Sequence, residues 1–117
     1  MDMVKANKYY PGLNNELQIK GLIVNQVSKS ANYTTTKNDF IIGVDTSSAA
    51  VTITLSSDSV EAGRVVIIND EGGNAGSNNI TIATEGSETI DGSATATIST
   101  NNASLRLYSN GTNWFTF

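Results

Sequence analysis

The 117-residue chain has no cysteine and no histidine, and it has one proline and one tryptophan. Without cysteine there is no disulfide framework and no thiolate metal site. Without histidine the commonest general base, the commonest metal ligand and the usual proton switch near neutral pH are missing. Ser-His-Asp and Cys-His nucleophilic sets are therefore excluded. Charge is scarce too. Lys and Arg number 7 against 11 Asp and Glu, 15% of the chain, for a net charge of −4. Such an acidic chain lacks the electrostatic footprint of a nucleic-acid binder. No apolar run is long enough for a membrane-spanning helix. No apolar stretch follows the lysines of MDMVKANKYY, so no secretory signal peptide is expected there. Release by lysis or assembly into a particle is the expected route out of a cell.

What the chain does have is β texture. Ser, Thr and Asn number 13, 14 and 14. A hydrophobic content of 38% over this length suffices for one core. From residue 31 onward, ANYTTT, DFIIGV, VTITL, GRVVIIN, NNITIA, ETIDG, TATIS, SLRLYS and NWFTF are short runs rich in Ile, Val and Thr. Turn residues separate them, including Asp70-Glu71-Gly72-Gly73-Asn74, Asp91-Gly92 and Asn110-Gly111. This spacing predicts an all-β fold, a compact antiparallel sandwich or barrel-like domain. VTITL alternates cleanly, which sends Val51, Ile53 and Leu55 inward and Thr52 and Thr54 outward.

The front of the chain differs in charge. Residues 1–30 hold Lys5, Lys8, Lys20 and Lys29 against Asp2 and Glu16, net +2, whereas residues 31–117 are net −6. Pro11-Gly12 marks a turn, and LQIKGLIVNQV after it favours extended chain, because Gly21 weakens a helix and Ile23, Val24 and Val27 are β-branched. The expected organisation is an extended arm over 1–30 with one short strand, then a β-domain over 31–117. An arm of that length spans about 100 Å when fully stretched. A disordered tail is the alternative, opposed by Tyr9, Tyr10, Pro11 and the apolar run at 22–24.

The last segment is the most informative. Asn110-Gly111 between two β runs predicts a two-residue hairpin loop. That register sets Leu107 opposite Trp114, Arg106 opposite Phe115 and Ser104 opposite Phe117. Leu105, Leu107 and Trp114 then share one face, and Tyr108, Phe115 and Phe117 share the other. FIIGV and VVII are likewise apolar on both sides. A small antiparallel sheet normally leaves one face polar. Two-sided strands need a second cover, either a loop of the same chain or another subunit.

Other features carry less. Asp70-Glu71 and Glu85 with Glu88 are carboxylate pairs of the kind used for calcium or for glycoside hydrolysis. The first pair reads more simply as turn chemistry, and it lacks the ligand spacing of an EF-hand. The glycines do not form a phosphate loop, because no Gly-Lys-Ser/Thr follows them. Four Asn-x-Ser/Thr sequons, at Asn32, Asn79, Asn102 and Asn110, are close to the three that composition alone produces. Tyr9, Tyr10, Tyr33, Tyr108 and Trp114 are candidates for sugar stacking, but on short strands such residues more often anchor a core or an interface.

Residues 31–117 resemble a small β-domain of bacteriophage virion structural proteins, found in capsid decoration (cement) proteins, tail fibres and tailspikes. The resemblance rests on Ala-Asn-Tyr-Thr at 31–34 and on the Asp-Thr-Ser turn at 45–47 before Val-Thr-Ile-Thr-Leu. It continues through Asp-Glu-Gly-Gly-Asn-Ala at 70–75, Asn-Ile-Thr-Ile at 79–82, Thr-Ile-Asp-Gly at 89–92 and the closing Asn-Gly-Thr-Asn-Trp. Ser56-Ser57 stands where the family pattern often has proline. The resemblance implies a homotrimeric, non-enzymatic particle component without metal or cofactor. It would be made in the host bacterial cytoplasm and carried on the virion. The expected function is capsid decoration. Tyr108, Phe115 and Phe117 would form the subunit interface. Tyr9, Tyr10, Pro11, Leu17, Ile19, Leu22, Ile23 and Val24 would form an arm on the major capsid protein or another virion protein. A head-fibre or tail-fibre tip that adheres to a host surface glycan is the alternative. Neither nucleic acid nor membrane is an expected partner.

Overall fold

A computed structural model describes residues 18–117. Nine strands follow in order: β1 Gln26–Lys29, β2 Tyr33–Thr34, β3 Ile41–Val44, β4 Val51–Leu55, β5 Val65–Asp70, β6 Ile80–Thr84, β7 Thr95–Ile98, β8 Ser104–Ser109 and β9 Trp114–Thr116. A single 3₁₀ turn spans Ser57–Ser59, and no α-helix occurs among the described residues. The fold is all-β. Of the nine apolar runs, only ETIDG yields no strand. There Ile90 makes isolated bridges to Ser93 and Trp114.

The strands form two sheets, ordered β1-β3-β5-β8-β9 and β2-β4-β6-β7. Inward residues of both contribute to one core cluster. The first sheet supplies Ile42, Val44, Val66, Ile68, Leu107 and Trp114, and the second supplies Val51, Ile53, Leu55, Ile80, Ile82 and Ile98. The VTITL alternation holds, with Val51, Ile53 and Leu55 buried and the two threonines between them half-buried.

The sheets are mixed, not antiparallel as the sequence suggested. β1–β3, β3–β5, β2–β4 and β4–β6 all pair in parallel. The cause is the path of the chain. Each of the first five strands hands over to the opposite sheet, so the chain returns to its first sheet running in its original direction. The first six strands therefore wind as three coils around the core. Antiparallel pairing starts only where consecutive strands stay in one sheet, at β6–β7 and β8–β9, and where β8 closes on β5.

The sheet extends beyond the boundary expected at residue 30. Gln26–Lys29, placed by sequence within the arm, is an edge strand of the five-stranded sheet, with Gln26 opposite Ile41 and Lys29 opposite Val44. β1 shares only Gln26 and Val27 with the LQIKGLIVNQV run in which a short strand was expected, and residues 18–25 of that run form no strand.

One buried carboxylate ties the loops at one end of the core. Asp70 is 1% exposed. Its Oδ1 accepts hydrogen bonds from the Thr46 hydroxyl at 2.6 Å and the Gly73 amide at 3.1 Å. Its Oδ2 accepts from the Ala75 amide at 3.0 Å and the Asn102 amide at 2.9 Å. Burial alone pushes this carboxyl up. The Thr46 hydroxyl and the amides of Asn102, Ala75 and Gly73 outweigh it and hold the group below the ordinary aspartate value. One side chain thus pins three loops.

Candidate functional site

The outward face of the five-stranded sheet is where the chain's apolar surface collects. Residues directly opposite one another in a sheet share a face. Ile41 faces Ile67, Ile67 faces Arg106, Val65 faces Tyr108, and Tyr108 faces Phe115. Ile41, Val65, Ile67 and Phe115 are half-buried, while Tyr108 is 39% and Phe117 54% exposed. Ile42, Val66, Ile68 and Leu107, their neighbours along the strands, point into the core. Among the described residues no second layer covers this face, which is apolar at Ile41, Val65, Ile67, Tyr108, Phe115 and Phe117 and carries Arg106 among them.

Its aromatic corner is tightly organised. The Tyr108 and Phe115 rings stack at 5.5 Å between centroids, and Tyr108 meets Phe117 edge-on at 5.7 Å. Both geometries suit the ring quadrupole. The Arg106 guanidinium lies 5.1 Å from the Phe117 ring centroid, and its Nε donates to the Phe117 carbonyl at 3.1 Å. The Phe117 amide donates back to the Arg106 carbonyl at 3.2 Å. The chain end is therefore fixed on the sheet.

The hairpin that builds this corner differs from the expected one. Its loop has four residues, 110–113, so Leu107 lies opposite Thr116, Tyr108 opposite Phe115 and Ser109 opposite Trp114. Asn110 does not take the left-handed conformation of a two-residue turn. Its side-chain oxygen accepts from the amides of Thr112 at 3.0 Å and Asn113 at 2.9 Å, and only Gly111 has positive φ. The register moves by two residues, which leaves each side chain on the face anticipated for it. Tyr108, Phe115 and Phe117 do come together.

The two borders of this sheet are unlike. β9 is shielded: the Trp114 amide donates to the Thr89 carbonyl at 2.8 Å, the Asp91 amide to the Trp114 carbonyl at 3.0 Å, and the Thr116 amide to the Asp91 carboxylate at 3.1 Å. Such a cover blocks edge-to-edge pairing. At the other border, among the described residues, β1 pairs on one side only. Toward one end of the face Glu71 lies across Gly43, where a Cβ would fall 2.0 Å from its carboxyl carbon. There Glu71 accepts from the Ser28 hydroxyl at 3.0 Å and from Gln26 Nε2 at 3.3 Å. The apolar surface therefore stops at a polar margin.

No family model and no curated protein sequence matches this chain. The surface must be read from its own chemistry. Among the arm residues named from the sequence, Ile19, Leu22 and Ile23 are 57%, 71% and 98% exposed, and Val24 is half-buried. They lie ahead of β1 in a stretch without strand. Tyr9, Tyr10, Pro11 and Leu17 lie outside the described residues.

The carboxylates flagged by sequence are engaged structurally. Asp70 is the buried hub, Glu85 accepts from the Ser57 amide at 2.9 Å, and Glu88 accepts from the Ser57 hydroxyl at 3.2 Å. Ser57 and Glu88 line an open cleft of about 670 Å³ together with Thr89 and Gly111–Asn113. Tyr33, a sugar-stacking candidate, donates its hydroxyl to Asp39 at 2.7 Å. That hydrogen bond, burial and the Asp39 charge hold its phenol above the ordinary value. Sequence reasoning missed Arg106 as part of the corner and Asp70 as a hub. The signal for Arg106 was its place in LRLY between the inward Leu105 and Leu107, on the face of Tyr108, and nothing in the sequence distinguished Asp70 from an ordinary turn aspartate.

Proposed function

We propose that this protein is a non-enzymatic structural component of a bacteriophage virion, a homotrimeric capsid decoration protein. The β-domain supplies the trimer, and the chain ahead of it supplies attachment to the head lattice. One observation carries this reading: among the described residues nothing covers an ordered apolar face centred on Tyr108, Phe115 and Phe117. Soluble monomers seldom leave such a surface uncovered, and obligate subunit interfaces resemble a core cut in half. The likeness of residues 31–117 to virion β-domains supports the particle context. The charge split between a basic front segment and an acidic body supports attachment by the front segment. Three arms on one trimer raise the effective concentration of each for its lattice site.

The test is deletion of residues 1–18, which spares β1 and the exposed apolar segment just ahead of it. The truncated protein keeps its fold by circular dichroism and loses binding to purified capsids. Wild-type occupancy by the truncated protein refutes the arm as the attachment element. The three clustered rings also favour a second reading, a fibre tip that stacks a host surface glycan. Binding to host cells together with no binding to capsids selects it.

A further inference from the structure

Among the described residues the exposed large hydrophobic side chains are five: Ile19, Leu22, Ile23, Tyr108 and Phe117. They fall into two places. Three lie in the segment ahead of β1, and two lie at the β8–β9 corner. β1 and β9 are opposite borders of the same five-stranded sheet. At about 4.8 Å per strand they stand roughly 19 Å apart. The six steps from residue 19 to residue 25 reach about 20 Å at full extension. The segment does not double back over its own sheet: Ile23 is 98% exposed, and nothing lies within 4 Å of a Cβ built on Gly21. Two apolar surfaces that no other described residue covers therefore sit at opposite borders of the sheet, one a strap and one a patch.

We infer that residues 19–24 of one protomer cover the Tyr108–Phe115–Phe117 corner of a second copy. This rests on the trimer proposed above and names what covers its interface. Strap and patch are different surfaces, so the contact is heterologous, and heterologous contacts close into rings when the rotation allows. Three copies, each giving a strap and receiving one, satisfy all five exposed side chains. The strap carries Lys20 and the patch carries Arg106 over the Phe117 ring, so apolar side chains and not charge make the contact. The covered border of β9 directs the strap onto the face of the sheet, where side chains make the contact, and away from strand addition at that edge. In this arrangement the chain ahead of residue 19 is left for the shell.

The chain's lack of cysteine makes cross-linking a clean test. The full-length double variant Ile23→Cys with Phe117→Cys is oxidised and run on a denaturing gel without reductant. A second pair, Leu22→Cys with Tyr108→Cys, guards against poor sulfur geometry in the first. Strap exchange predicts covalent trimers from at least one pair, and dimers when the two single variants of a pair are co-expressed. It also predicts that Leu22→Asp with Ile23→Asp raises the protein concentration needed for half-assembly at least tenfold. Cross-linking only within a chain, or no cross-linking by either pair from a wild-type trimer, overturns the exchange and leaves the trimer standing. A wild-type protein that is monomeric by light scattering overturns both.

Discussion

Asp70→Asn tests whether a single carboxylate holds the loop end of the core together. The native group is 1% exposed and accepts four hydrogen bonds, two at each oxygen. The substitution keeps the shape but replaces one oxygen with an amide donor. The amide is best tolerated at the Oδ1 position. There the Thr46 hydroxyl can rotate to accept from it, while the Gly73 amide loses its partner. Leaving that donor unmet costs about 1–3 kcal/mol. The three surviving bonds change from charge-assisted to neutral, and each weakens by about 1 kcal/mol. No longer desolvating a charge offsets part of this. The expected net loss is about 3 kcal/mol, or roughly 12–24 °C in Tm for a domain of this size. Urea unfolding of both proteins at neutral pH and equal protomer concentration measures it, with an unchanged slope. The pH dependence supplies an independent check. Because the folded-state pKa is lowered, the Asp70 contribution is complete above the unfolded value near pH 4 and fades as pH falls through the lower folded value. The variant therefore loses part of the wild type's acid sensitivity. A loss below about 1 kcal/mol at pH 7 with an unaltered acid limb would refute the hub.

Further outcomes follow from local geometry. Gly43→Ala and Gly72→Ala both insert a methyl into occupied space, but against different neighbours. At Gly43 it meets the carboxyl end of Glu71, which can swing away, so the cost is about 1 kcal/mol and loosens β1. At Gly72 it falls 2.3 Å from the Thr46 backbone nitrogen, which cannot, so thermal melts should rank Gly72→Ala far below Gly43→Ala. Tyr33 should ionise above the ordinary tyrosine range in a spectroscopic titration, because its hydroxyl serves Asp39. Its stabilising effect is complete below the unfolded value near pH 10 and lost as pH rises through the raised folded value, so Tyr33→Phe flattens the alkaline limb of the stability curve. Phe115→Asp should dissociate the assembly while the protomer keeps its far-ultraviolet dichroism, since each ring contributes about 1.5–3 kcal/mol when buried between subunits. An unfolded variant would place Phe115 in the protomer's own core.

Much of the strand content was legible because short apolar runs bounded by turn residues have few other solutions in water. The faces of β8 and β9 were legible for a second reason: a period of two survives any even shift of register. The loop length was not. Of the two dipeptides that favour tight hairpins, Asp91-Gly92 takes the two-residue form, with both φ values positive and Ile90 and Ser93 exchanging hydrogen bonds. Asn110-Gly111 opens into a four-residue loop because the Asn110 side chain finds two amides of its own. Strand direction was illegible for a topological reason. VVII and FIIGV are equally consistent with parallel and antiparallel neighbours, and the choice depends on whether the chain crosses to the opposite sheet between them. The three coils have unequal turns, so no sequence repeat announces the winding: Ile41 pairs with Gln26, 15 residues back, and Ile67 pairs with Ile41, 26 residues back. The apolar face was visible as two-sided strands. Asp70 was hidden because its importance lies in three loops that are distant in sequence.

The central claim is that the protomer leaves an apolar face to be completed by copies of itself. Light scattering on the full-length protein at micromolar concentration tests it most directly. A mass near 37 kDa, three times the 12.3 kDa protomer, is the predicted result. A single species at 12.3 kDa with Tyr108 and Phe117 open to solvent would contradict it.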